Sequence, residues 1–194
     1  MKKKMMAMAM ATVMTTVMLT ACGGSDTKVV DKTGDTAQTT TQSTQTEGAA
    51  QTTPKGYTFQ ANGNVEVGVD IPMSTVLDKL GEADSYFEAA SCAFDGLNKM
   101  YTYAHFEIDT YPDGDQDLIS AIYLKDDLVS TKEGLSIGAD KAQMESIYGT
   151  DYTEKGTECI YENQGMSLRV MITDGKVSYI TYASNALDKE NAAQ

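Results

Sequence analysis

The sequence predicts an α+β protein built from two tandem repeats. Each repeat is a short helix followed by an antiparallel sheet, with the helices packed on one sheet face. Three observations carry this expectation. Segments 70–81 and 137–149 space apolar residues at helical intervals and end in Gly81 and Gly149. Each is followed by stretches that alternate apolar and polar residues, the period of a strand. The pairs Asp113-Gly114 and Asp174-Gly175 separate such stretches and read as hairpin turns.

The chain begins with Lys2, Lys3 and Lys4, continues through a Met- and Ala-rich apolar run over 5–19, and exits through Leu19-Thr20-Ala21 to Cys22. This is the layout of a secretory signal peptide over residues 1–21. The apolar run is interrupted by Thr12, Thr15 and Thr16 and is short for a membrane-spanning helix. Leu19-Thr20-Ala21-Cys22 followed by Gly23 resembles the lipobox of a bacterial lipoprotein. The resemblance implies cleavage before Cys22 and diacylglycerol on its sulfur. It places the protein at the cell membrane, lipid-anchored and facing away from the cytoplasm.

Residues 22–56 read as the lipidated Cys followed by a disordered Thr/Gln-rich linker. With almost nothing apolar to bury, it cannot offset the entropy of ordering. A coil of this length holds its ends roughly 30 Å apart. The globular pattern spans 57–187, with repeats at about 65–127 and 133–183, and residues 188–194 read as a disordered tail.

In the first repeat Met73, Val76, Leu77 and Leu80 form one helix face, with Pro72 near the first turn. In the second, Met144, Ile147 and Tyr148 do so, with Asp140 as cap and Gln143 as its capping-box partner. Helices of two turns do not persist alone in water, so each needs a surface to pack on. Cys92-Ala93-Phe94-Asp95 aligns with Cys159-Ile160-Tyr161-Glu162, each opening a strand. Strand-like stretches follow at 101–110 and 166–173, and closing strands at 118–124 and 177–182.

This pattern resembles the tandem-repeat fold of the β-lactamase-inhibitor proteins and, more distantly, the small envelope lipoproteins of the outer-membrane barrel-assembly machine. The Gly-Leu-Ser-Ile-Gly run at 134–138 is its most typical segment. Lipoproteins of clostridia-like bacteria look similar, including the stretch Ser91-Cys92-Ala93-Phe94-Asp95-Gly96-Leu97. The resemblance is architectural and transfers no functional residue.

The 194 residues carry 15 basic and 28 acidic side chains, a net charge of −13. Loss of Lys2, Lys3 and Lys4 with the signal leaves 12 against 28, a net −16. Such a surface repels nucleic acid and anionic headgroups, so membrane contact is expected from the anchor at Cys22 alone. With Cys22 lipidated, Cys92 and Cys159 form either a disulfide, stabilising by about 4 kcal/mol in the loop-entropy picture, or two buried thiols.

If 101–109 is one strand, Thr102, Ala104, Phe106 and Ile108 face the core. Tyr101, Tyr103, His105, Glu107 and Asp109 then face outward, and Arg169 lies outward on 166–173. Tyrosine and arginine are enriched in recognition surfaces. The candidate binding face is therefore Tyr101, Tyr103, His105 and Arg169, with Tyr123 and Tyr179; cross-strand stiffening of a plain sheet is the alternative.

His105 is the only histidine in the chain, and spacing identifies no nucleophile for it, although Glu107 is placed beside it. Asp113, Asp115 and Asp117 have calcium-loop spacing, but Leu118 and Leu124 stand where Gly and Glu are required. No catalytic residue, metal site or cofactor is expected. The expected function is a non-enzymatic, membrane-anchored module that recognises an extracellular protein, peptide or envelope polymer through its exposed sheet face. A structural role in envelope assembly, or inhibition of a secreted hydrolase, is the alternative.

Overall fold

Residues 28–30, 53–92 and 94–186 are described in the structure, a computed structural model. The expected signal peptide 1–21, Cys22, most of the linker and the tail 188–194 lie outside them. The described residues are mostly β, which corrects the α+β expectation of two tandem repeats with helices layered on one sheet face. Helix α1 (Ser74–Leu80) has seven residues and α2 (Lys141–Tyr148) eight. At 1.5 Å per residue each covers roughly 10–12 Å, far less than the width of the sheet beneath them.

That sheet is wholly antiparallel, in the order β1-β4-β5-β6-β7-β11-β10-β9-β8. One meander comprises β4 (Ser85–Ala90), β5 (Leu97–Thr102), β6 (Phe106–Asp113) and β7 (Gln116–Leu124). The other comprises β8 (Thr153–Lys155), β9 (Glu158–Asn163), β10 (Met166–Thr173) and β11 (Lys176–Ser184). Their last strands join as the seam of the sheet, Ile180 opposite Leu124 and Tyr182 opposite Ile122. A short edge strand from the expected linker, β1 (Lys28–Val30), pairs antiparallel with β4, Val29 opposite Phe87.

The predicted turns form. Gly114 has φ +58°, and Asp174 and Gly175 have φ +51° and +75°, the doubly positive geometry of a tight hairpin between β10 and β11. Gly81 and Gly149 end the helices at φ +79° and +84°, where a β-carbon is disfavoured. The capping box at α2 does not form: the Asp140 side chain caps no backbone N–H, and its Oδ1 instead accepts from Lys176 Nζ at 2.7 Å.

Much of the core's cover comes from an element not foreseen, the hairpin of β2 (Phe59–Ala61) and β3 (Val65–Val67). Phe59 is fully buried, its ring 5.1 Å from Phe106 edge-on and 6.2 Å from Tyr182. The chain after β3 is strapped to the start of β7. Asp70 N–H donates to Ile119 O at 2.8 Å, Ile119 N–H to Ile71 O at 3.0 Å, and Met73 N–H to Asp117 O at 2.8 Å. Val69, Ile71 and Met73 are thereby buried beside Val76 and Leu80 of α1. Met144 of α2 and Leu135 bury in the same core.

The alignment of Cys92 with Cys159 is corrected too. Ala90 pairs with Leu97, so 91–96 is the β4–β5 connection, closed by Ser91 N–H to Gly96 O at 2.9 Å. Cys159 lies within β9.

Phe59→Ala is expected to cost about 3–5 kcal/mol in urea unfolding, because it empties the contact between hairpin and sheet. A loss below about 1 kcal/mol, the range of surface substitutions, would show that the hairpin does not close the core.

Candidate functional site

The seam gathers residues from both meanders on the sheet face opposite the core. Register places Glu107 opposite Tyr123, Tyr123 opposite Thr181, and Thr181 opposite Arg169, one row across four strands. Tyr179 stands beside this row, its ring 6.1 Å from Tyr123. Met171 lies opposite Tyr179, and the two remain 38% and 41% exposed, unusual for large apolar side chains. Arg169 is held by its Nε, which donates to Ser167 Oγ at 3.0 Å. Beyond it, Arg169, Ser167, Ile160 and Thr153 line a groove of about 440 Å³ that runs out to edge strand β8.

Asp109 occupies the same face, opposite Ala121. The ladder of β6 and β7 shifts register directly after it, the mark of a bulge. Its Oδ1 is buried without a hydrogen-bond partner. Burial first, and then the neighbouring Glu107 charge, push its carboxyl up to about 6; a hydrogen bond with Tyr123 works against the shift. Burial likewise raises the Tyr123 and Tyr179 hydroxyls, helped by the charge of Asp109. The face thus carries two aromatic rings, a methionine, an arginine and a partly desolvated acid, a combination suited to binding.

Of the expected binding residues, Tyr123, Tyr179 and Arg169 come together here, and the other three do not. Residues 101–109 are not one strand: the chain turns at 103–105, with Tyr103 N–H donating to Phe106 O at 2.9 Å. Side-chain parity therefore flips across the turn. Tyr101 pairs with Ile108 and points to the core side, while Thr102, expected in the core, pairs outward with Glu107. Tyr103 is only 5% exposed and stacks on Phe106 at 4.6 Å. Ala104, expected buried, is exposed at the turn. His105 lies in the same turn, its Nδ1 2.8 Å from Asp126 Oδ2. That contact holds the Asp126 carboxyl below its ordinary range. Glu107, expected beside His105, instead accepts from Thr102 Oγ1 at 2.9 Å.

Cys92 and Cys159 are both free, Cys92 exposed and Cys159 buried, so the candidate disulfide is absent here. Burial raises the Cys159 thiol above its ordinary value. Asp117, in the aspartate-rich turn, receives Lys99 Nζ at 2.7 Å. Among the described residues no three His, Cys, Asp or Glu side chains converge as a metal-binding group.

Asp109 was legible as outward-facing but not as desolvated, because the bulge and the cover of Tyr123 are tertiary features. Tyr86 is not legible from the sequence, because β4 is six residues long and alternates weakly. Comparison with protein-family models, with curated proteins and with solved structures returns no match.

Two outcomes follow. A carboxyl raised to about 6 in the fold and near 3.8 unfolded binds protons more tightly when folded. Its protonation therefore supports the fold at low pH, and stability falls as pH rises through that window. Asp109→Asn is expected to stabilise by about 1–2 kcal/mol at pH 8 and by much less at pH 4, read by urea unfolding at both. In a chain carrying Cys22→Ser, a thiol reagent is expected to label Cys92 at once and Cys159 only after denaturation.

Proposed function

We propose that this chain is a membrane-anchored, non-enzymatic binding module that recognises an extracellular protein, peptide or envelope polymer through the outer face of its sheet. The observation that carries the reading is the convergence of Tyr123, Tyr179, Met171 and Arg169 on that face. Tyrosine and arginine supply contact area and fixed hydrogen-bonding geometry, and methionine adapts to a partner's shape. The rigid four-strand platform holds these side chains in place before a partner arrives, which lowers the entropic cost of association.

The lipobox-like Leu19-Thr20-Ala21-Cys22 supports anchoring, with the lipid supplying the membrane attachment. No helix among the described residues is long and apolar enough to cross a membrane. A diacylglycerol carries two chains, the number needed for stable attachment without help from a basic surface.

Cross-linking of the intact protein in its own cells, followed by affinity capture and mass spectrometry, tests the recognition surface. Tyr179→Ala combined with Arg169→Ala is expected to abolish capture of the wild-type partner while moving the melting temperature by less than about 2 °C. Undiminished capture overturns the reading of this face. Cys22→Ala is expected to release the protein from the membrane fraction; a variant that stays there overturns the anchor.

A further inference from the structure

We propose that a cleft on the opposite side of the sheet, between the end of α1 and strands β4 and β5, binds a small organic ammonium ion. The cleft measures about 520 Å³, within the range of small-molecule sites. It shares no residue with the outer face and does not rest on the reading given there.

Tyr86 and Tyr101 make its aromatic wall. They are direct cross-strand partners, with ring centroids 5.0 Å apart and planes inclined at 53°. Two inclined rings offer π-faces from two directions, the arrangement that attracts a cation by the ring quadrupole. Tyr86 donates its hydroxyl to Glu88 Oε2 at 2.6 Å, which fixes the ring. Leu77 closes the apolar side from α1. Gly81 adds no side chain, and a Cβ there would meet only open space.

Among the described residues, Asp78, Glu82 and Asp84 line the cleft and no basic residue does. Lys99, which follows Glu88 across the ladder, is engaged by Asp117 at 2.7 Å. An anion therefore meets repulsion, and a neutral polar ligand gains hydrogen bonds but no charge attraction from the carboxylates. An alkylated ammonium gains apolar contact and charge attraction, because its methyl or methylene groups fit against Leu77 and the rings while its charge faces the carboxylates.

The test uses the full chain with ring-labelled tyrosine, titrated with choline and with 3,3-dimethylbutan-1-ol, its uncharged isostere, at constant ionic strength. Choline is expected to shift the Tyr86 and Tyr101 resonances in a saturable way, and the isostere to bind at least about tenfold more weakly. Tyr101→Leu is expected to weaken choline by about fivefold, the equivalent of one cation–π contact. Tyr101→Phe, which keeps the ring and tests that the fold tolerates a change at this position, is expected to bind as the parent does. Equal response to choline and its isostere overturns the proposal. So does a response to N-acetylglucosamine in place of choline, or a Tyr101→Leu protein that binds choline undiminished.

Discussion

The antiparallel pairing of β7 with β11 is the constraint on which the rest of the molecule depends. Each meander alone is a four-stranded ribbon with one apolar side and too little material to cover it. Joined at Ile122–Tyr182 and Leu124–Ile180, they share one continuous apolar face, and Tyr182 at the seam contacts Phe59 from the covering hairpin. Because side chains alternate strictly along a strand, fixing the inner face at the seam also fixes the outer one. Tyr123 and Thr181, from separate meanders, become neighbours through the same backbone bonds that bury Ile122 and Tyr182.

The two faces differ in how they treat polarity. On the inner face, buried polar atoms are mostly satisfied locally: Thr131 Oγ1 receives both Leu135 N–H and Tyr148 hydroxyl, and Tyr161 hydroxyl donates to Gly149 O. Among the described residues, the exceptions are the hydroxyls of Tyr103 and Tyr182. On the outer face an acid, Asp109, is half removed from water with one oxygen unpaired, at a cost in stability that hydrophobic burial elsewhere offsets.

The sequence was readable where local chemistry decides. Gly81 and Gly149 end helices because their φ is positive, and Asp174-Gly175 turns a hairpin because both residues accept the left-handed region. The apolar positions of both helices are those that face the core, led by Val76, Leu80 and Met144. Legibility failed where tertiary pairing decides. Tyr103-Ala104-His105 contains no Gly, Pro or Asn, so an unbroken alternation concealed a turn and misassigned the faces before it. The two three-residue strands of the covering hairpin are too short for any period to register, although Asn62-Gly63-Asn64 between them is turn chemistry in plain view. Without that hairpin the two helices are the only cover the sequence shows, and it reads as an α+β layering. Of the six candidate residues, the three near the seam share the outer face, and the three around the hidden turn do not.

The edge strand Lys28–Val30 has a bearing on distance. Once residue 28 is paired to β4, only six peptide steps separate the sheet from Cys22, a reach of at most about 20 Å even when fully stretched. With the anchor proposed at Cys22, the β4 edge is therefore the side of the molecule nearest the bilayer, and the β8 edge, across the full width of the sheet, is the side presented to whatever approaches from outside.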